Sequence, residues 1–530
     1  MIRQQARRMG RGAIGATLGG VLLLFIAACG AGGDPSDTPD ESTGGAAPTS
    51  DRAAENKLVL IALQDPGTLD YVSNNLTALI LWLPGNVVEP LISFNGDGEP
   101  EPGVAESWEI SEDQTTYTFT LRETNFSNGE PVAAADVVYS LTTMQESPIA
   151  TYAAPYEAVA SIEATDERTV TVQLSRPSQS FFRGMGGMSA LIQPEASAGT
   201  IATDPIGTGP YVLDEYVTDS RLTFSINPEY WGEMPSLEEV EVRIIPDGTA
   251  ALNALRAGEA DAFPVITIDL WERLTTEGYG DDFNLITYPQ GGEMLYVTFN
   301  TTQAPYEDVE LRRALAASFD RQQFIDAFNA PWGATATCGY GLENTPWYTE
   351  ESADTCPAPF DVEAAAADLQ AAGYAGEALE FTSLSDVADL SLPADLLIAQ
   401  LQGVGVEVER NALDLARYAQ VIFQGRPPQF GVTVMSDPAP ITQFACPDES
   451  QMGWTTYCSP EMTDLMNQAD AAQSVEEYEA LMNQASDVLK EDAVIVPLLA
   501  KSGVGLWHPD LQGWQEPQIL VDIQFANLHW

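Results

Sequence analysis

The block Pro102-Gly103-Val104-Ala105-Glu106-Ser107-Trp108, then Thr116-Tyr117-Thr118-Phe119-Thr120-Leu121, then Phe126-Ser127-Asn128-Gly129-Glu130-Pro131-Val132 and Asp136-Val137-Val138-Tyr139-Ser140, decides how the chain is read. Its middle part alternates polar and apolar residues, the period-two mark of a half-buried strand. The segment from Phe126 to Pro131 reads as a turn after that strand, with Gly129 available for positive φ. Outward from this block, Val170, Val172 and Leu174 repeat the strand pattern, as do Val240, Val242 and Ile244. Helical spacing appears in Leu311, Leu315 and Phe319 and continues through Phe324, Ile325 and Phe328. Another helix is predicted from Asp361 to Ala372, stopped by Gly373. Asn227-Pro228 and Pro246-Asp247-Gly248 supply turns. Strands and helices are mixed throughout with no internal repeat, which predicts a large α/β or α+β body.

The chain has 530 residues, enough for two to four lobes at about 150 residues per domain. It carries 78 Asp and Glu against 22 Lys and Arg, a formal net charge of −56. The apolar fraction of 45% is ordinary for a globular protein, so the acidity does not signal disorder. It does exclude a nucleic-acid binder, because every phosphate would be repelled. The lysines are Lys57, Lys490 and Lys501, and the histidines are His508 and His529. Catalysts of the Ser-His-Asp or Cys-His kind need a positioned imidazole, and only these two late candidates exist. No SxxK, GxSxG, P-loop or complete GxGxxG occurs. The composition points away from familiar catalysis. No catalytic residue, metal ligand or cofactor is expected.

Arg3, Arg7, Arg8 and Arg11 precede an uncharged stretch from Gly12 to Ala28, the n-region and h-region of an export signal. The stretch ends Ile26-Ala27-Ala28-Cys29-Gly30, which resembles the bacterial lipobox. That resemblance implies cleavage after residue 28 and a lipid on Cys29. The rival reading, a membrane span, suits the short, glycine-rich stretch less well. Residues 29–55, rich in Gly, Ser, Thr, Pro and Asp, read as a flexible tether. Four cysteines remain: Cys338, Cys356, Cys446 and Cys458. An even count in an oxidising compartment suggests two disulfides. Three pairings are open, and the local one, Cys338 with Cys356 and Cys446 with Cys458, closes the shortest loops. A metal site is the rival, without a CxxC or a nearby His to support it.

Further segments then become recognisable. Gly67-Thr68-Leu69-Asp70 and Val88-Glu89-Pro90-Leu91-Ile92 come before the opening block. After it come Gly207-Thr208-Gly209-Pro210-Tyr211, Asn227-Pro228-Glu229-Tyr230-Trp231 and Leu255-Arg256-Ala257-Gly258-Glu259-Ala260-Asp261. Phe299-Asn300-Thr301, the run Asp308 to Leu315 ending in Asp320-Arg321, Ala367 to Tyr374 and Val494-Ile495-Val496-Pro497-Leu498 close the series. In this order, from about Lys57 to the C-terminus, the chain resembles the extracytoplasmic solute-binding proteins of ABC importers, family 5, the peptide-, opine- and nickel-binding group. Most of these motif residues have structural roles on their own physics. Asp320-Arg321, for example, reads as a helix cap or a surface ion pair.

The resemblance implies an α/β, two-lobed periplasmic-binding-protein-like fold of the class II, cluster C type. It places 56–87, 205–290 and 495–530 in lobe I, 88–204 in a domain inserted in that lobe, and 291–494 in lobe II. Hinges are expected near Gln290 and Val494. The implied function is a monomeric, lipid-anchored lipoprotein on the outer face of the cell membrane. It would close on a small solute, a short peptide first, and deliver it to the permease and ATPase of an importer. The residues implied for the pocket are Asn74, Trp82, Glu293, Tyr296, Thr298 and Asp437, with Trp332 and Tyr340 at its rim and Trp454 in a loop that forms a lid or braces lobe II. Aromatic and amide groups of this kind suit a small polar organic ligand. Peptide-binding relatives carry an aspartate for the α-ammonium in a pattern like Asp-Tyr-x-Asp-Pro. Here Val434-Met435-Ser436-Asp437-Pro438 departs from it, putting Val434 at that place unless a short deletion brings Asp437 there. Alternatives are an oligosaccharide, an opine or a metal chelate as solute, an exported hydrolase on the same scaffold, or a signalling lipoprotein without a ligand.

Removing the export signal takes four of the 22 basic residues and no acids, leaving 18 against 78 and a net charge near −60. A binding cleft is shielded and needs no such field. The acidity therefore reads as adaptation to salty surroundings, where screening removes much of the self-repulsion. Calorimetry should then show the unfolding midpoint rising from low to molar salt, and a midpoint that does not rise would refute the reading.

Overall fold

The computed structural model describes residues 51–530 except 75–76, 96–98, 278–282, 329–333, 341–347, 357, 386–387, 415–416, 419–420, 422–429, 436–456 and 514–522. The strands form where their periodicity puts them: Thr116–Leu121, Thr169–Leu174 and Glu239–Ile244 each bury every second residue. The first two lie in a four-stranded antiparallel sheet ordered Ala105–Ile110, Thr116–Leu121, Thr169–Leu174, Val159–Ala164. Helix Ala134–Gln145 buries Val137, Leu141 and Met144 in the same core as Phe119, Val170 and Val172. The turn behind Thr116–Leu121 has Gly129 at φ +83°. This whole sheet falls within 88–204.

The rest of the body is organised by one sheet of eleven strands. Its order is Val408–Leu413, Leu379–Leu384, Phe430–Met435, Asn284–Phe299, Ile495–Trp507, Ala262–Phe263, Lys57–Ala62, Glu239–Ile244, Arg221–Ile226 and Tyr211–Val217, with Thr335–Ala336 paired beside Ile495–Trp507. Both faces are covered, as continuous apolar strands such as Lys57–Ala62 require. Leu58 and Leu60 enter one core, while Val59 and Ile61 enter another on the opposite face. Leu295, Val297 and Phe299 divide in the same way from Met294 and Tyr296.

Two antiparallel strands run through both halves of this sheet. Asn284 to Tyr288 pair with Trp507 to Gly503, and Glu293 to Thr298 pair with Lys501 to Ile495. Between these stretches Pro289-Gln290-Gly291-Gly292 stand opposite Ser502, a bulge that interrupts the ladder. On one side of the break Val504 and Leu506 pack with Val59, Ile61 and Leu252. On the other, Val496, Leu498 and Leu499 pack with Phe381, Leu397 and Phe430. The chain thus changes cores at the bulge. Gln290 lies in it, but Val494 is fully buried beside Ile495 and Tyr340 in the second lobe. The apolar run from Val494 to Leu499 fills the cores of this second lobe before the ladder breaks opposite Ser502.

The helical pattern from Leu311 to Phe328 is two helices, Val309–Ala317 and Arg321–Phe328. The Gln400 amide clamps the backbone between them, accepting the Asp320 N–H at 3.1 Å and donating to its carbonyl at 3.2 Å. Arg321 makes no ion pair among the described residues. Its Nε donates to the Pro497 carbonyl at 3.0 Å, and burial pulls its pKa down to about 10. The helix predicted from Asp361 spans Val362–Ala371, with the Asp361 carboxylate accepting the Ala364 N–H at 2.9 Å and Gly373 at φ +85°. Cys338 and Cys356 are bonded, with Cα atoms 5.1 Å apart. Cys458 is also disulfide-bonded, and Cys446 lies outside the described residues. No helix among the described residues is long and apolar enough to cross a membrane.

Three of the sequence motifs meet at one carboxylate. Glu89 is buried and accepts the Thr208 hydroxyl at 2.7 Å and the Trp231 indole N–H at 2.8 Å. The Arg122 guanidinium lies 3.3 Å over the Trp231 ring. Gly209 is needed here because a Cβ would come within 2.5 Å of the Asn86 carbonyl. Burial pushes the Glu89 carboxyl up to about 7, against the opposing pull of Trp231, Thr208 and Arg122. Between an unfolded value near 4.5 and about 7 the folded state holds the extra proton, so stability falls as pH rises through that window. Glu89→Gln keeps both hydrogen bonds and removes the proton. Its melting temperature relative to wild type should climb between pH 5 and pH 8, and a constant difference would show that Glu89 does not titrate there.

Candidate functional site

The loop that follows the first strand is built by two aspartates. Asp65 accepts the Gly67 N–H and the Asp219 N–H, each at 2.6 Å, and the Tyr216 hydroxyl. Asp70 accepts the Val72 N–H at 3.0 Å, the Ser73 N–H at 3.3 Å and the Ser73 hydroxyl at 2.5 Å. Short polar side chains that bond backbone two or three residues on fix such turns. They carry the chain to Asn74, which is half-buried with its amide donating to the Pro66 carbonyl at 3.4 Å.

The expected aromatic contacts go elsewhere. Trp82 is 1% exposed and packs in the first lobe's core, its ring stacked 6.3 Å from that of Phe525. Leu81 and Leu83 flank it, and burying the indole with them is worth more than presenting it to a cleft. Its N–H finds no acceptor among the described residues. Tyr296 is also 1% exposed, stacked 6.5 Å from Tyr340 inside the second lobe, and the Tyr340 hydroxyl donates to the Ile495 carbonyl. Thr298 is buried on the same strand and donates to the Gly431 carbonyl at 3.4 Å. Neither ring is brought to a surface. Glu293 is the first paired residue beyond the bulge, opposite Lys501. Asp437, Trp332 and Trp454 lie outside the described residues.

Sequence reasoning missed the group that ties the lobes beside the crossing. Lys501 is 6% exposed, with its ammonium 3.0 Å from the Asp389 carboxylate and 5.9 Å from the Phe328 ring centre. The other Asp389 oxygen accepts the Ile268 N–H at 3.1 Å, from a helix whose Leu270 and Leu274 sit in the first lobe's core. A buried ammonium needs such a partner. The signal was available: Lys501 is one of three lysines and interrupts an apolar run from Val494 to Trp507.

Neither His508 nor His529 is hydrogen-bonded to a serine or cysteine among the described residues: the His508 ring accepts the Asp510 N–H, and that of His529 lies 3.4 Å from the Asn527 carbonyl. Among the described residues no group of three or more His, Cys, Asp or Glu is placed to hold a metal ion.

Residues 99–448 match the family described as bacterial extracellular solute-binding proteins, family 5 Middle. The chain is 27% identical over 475 residues to heme-binding protein A of Haemophilus influenzae, covering 81% of this chain and 84% of that one. It is 27% identical to a probable di/tripeptide-binding protein of Pseudomonas aeruginosa, covering 87% of this chain and 94% of that one. Among solved structures, a dipeptide-binding protein from a Pseudoalteromonas species in complex with Met-Leu superposes with a TM-score of 0.77 at 20% identity, over 89% of this chain and 99% of that one. A binding protein of Agrobacterium in complex with agropinic acid gives 0.76 at 22%, over 89% and 96%. The fold is therefore the mixed α/β, two-lobed binding-protein fold, and the chain belongs to the family 5 bacterial extracellular solute-binding proteins.

Proposed function

We propose that this protein captures a short peptide between its two lobes and hands it to the permease of an ABC importer. The observation that carries the reading is the crossing. Two strands joined through a bulge connect two separately packed cores, the arrangement a hinged pair of lobes needs. A solute touching both lobes stabilises the closed form by its differential affinity for that form. On this reading lobe I comprises 56–87, the stretch from 205 to the bulge and the chain beyond Ser502. The insert is 88–204, and lobe II lies between the crossings. Export, a lipid on Cys29 and a monomeric state complete the proposal. Mass spectrometry of the membrane-extracted protein should find a lipid-modified Cys29 at its N-terminus, and an unmodified cysteine there would remove the anchor.

The peptide reading draws on the di/tripeptide-binding and dipeptide-bound relatives. A second reading, an opine or a heme-like chelate as the solute, draws on the agropinic acid complex and the heme-binding relative. Native mass spectrometry of the protein as purified separates the two, because a tightly held solute survives purification and its mass identifies its class. Asp437 remains the proposed partner of a cationic group, with Asn74 as a polar contact. Asp437→Asn should weaken a cationic ligand about tenfold, near 1.4 kcal/mol, by titration calorimetry. Unchanged affinity would take Asp437 out of the site.

A further inference from the structure

The insert reaches across to lobe II through a polar seam that no motif marks. Helix Pro460–Asp470 of lobe II ends in Asp470, whose side chain is 17% exposed. One of its oxygens accepts the Ser178 hydroxyl at 2.9 Å, the Ser180 N–H at 2.9 Å and the Ser180 hydroxyl at 2.5 Å. The other takes the Arg176 guanidinium. Around this carboxylate the Gln179 amide donates to the Ala472 carbonyl at 2.8 Å, and the Gln114 amide to the Gln473 carbonyl at 3.3 Å. The Arg183 guanidinium lies 5.2 Å from the Tyr478 ring centre.

We propose that Asp470 is a latch: it fastens the insert to lobe II and sets how much of the protein is closed before any solute arrives. Three arguments carry this. The Ser180 N–H begins the helix Gln179–Gly184 and has no acceptor within it, so the carboxylate from lobe II completes that helix. An ionised acceptor with four donors makes a strong, directional contact even when part of it is wet. Basic residues are also scarce in this chain, 22 against 78 acids, yet two of the four arginines in 88–204, Arg176 and Arg183, face this seam. The insert belongs to lobe I, and the two-strand crossing is the pivot between the lobes, so opening at the bulge separates the seam. A contact made only in the closed state raises the closed population and, with it, the apparent affinity for any solute.

The inference rests on the hinged reading of the lobes but not on the identity of the solute, so its test uses stripped protein. Solution scattering of the full mature chain, freed of solute by unfolding and refolding, is compared for wild type, Asp470→Ala and Asp464→Asn, the last an exposed change on the same helix. Asp470→Ala should give a larger radius of gyration, Asp464→Asn none. Hydrogen exchange at the Ser180 amide should accelerate about tenfold in Asp470→Ala, the loss expected for one charge-assisted bond. If Asp470→Ala does not fold, Ser178→Ala with Ser180→Ala carries the same comparison. A radius unchanged from wild type in the folded variant overturns the latch, whatever solute is bound. An enlarged radius in a protein that calorimetry finds to bind no peptide, opine or chelate leaves the latch standing and removes the solute reading.

Discussion

Two antiparallel strands pass from one hydrophobic core to another, and the rest of the molecule depends on how they do it. Backbone hydrogen bonds keep the sheet continuous on either side, while Pro289 to Gly292 leave the ladder opposite Ser502. A ladder transmits rigidity, and a bulge is where it gives. Each lobe is close-packed on both sheet faces: Leu58 and Leu60 against Val59 and Ile61 in the first, Leu295 and Val297 against Met294 and Tyr296 in the second. Bending inside either lobe would open voids between such side chains, which is costly. On the proposed hinged reading, motion is directed to the crossing. Asp389 and Lys501 pair beside it, and the proposed latch at Asp470 would hold the far side.

Much of this architecture was legible in the sequence. The alternation at Thr116–Leu121 and Glu239–Ile244 fixes which side chains are buried, because a strand has only two faces. Gly373 and Asp361 mark helix ends through chemistry local to a few residues. What depended on distant partners was not legible. The break after Ala317 is clamped by Gln400, eighty residues on in the chain. Glu89, Thr208 and Trp231 read as separate turn and strand segments, and only the fold brings them to one carboxylate. Trp82 and Tyr296 were expected at the solute because aromatics suit stacking, but their neighbours are apolar and both rings are absorbed by the cores. The site proved the least legible part. A cleft between lobes draws on residues far apart in sequence, and no short-range pattern records which of them face it.

The acidity takes on a second meaning in the folded chain. Where a carboxylate is buried or half-buried, it has several donors: Asp261 takes the Arg52 guanidinium twice and the Val59 N–H, Asp389 takes Lys501 and Ile268, and Asp470 takes Arg176 and two serines. Other cations, among them Arg168, Arg221, Arg313 and Arg410, stand in surface ion pairs, which contribute little. The excess negative charge sits outside these junctions, where solvent and salt screen it. Charge thus acts in two ways, as fasteners between elements and as a solvated surface.

The central claim, that the two lobes move as bodies about the crossing when a solute binds, is tested most directly by an energy-transfer distance between them. Dyes carried by unnatural amino acids at the exposed positions Glu233 in lobe I and Glu363 in lobe II leave the disulfides untouched. The account predicts two transfer efficiencies, one for solute-loaded and one for stripped protein, with return of the solute restoring the first. A single efficiency, unchanged while calorimetry registers binding, would contradict it.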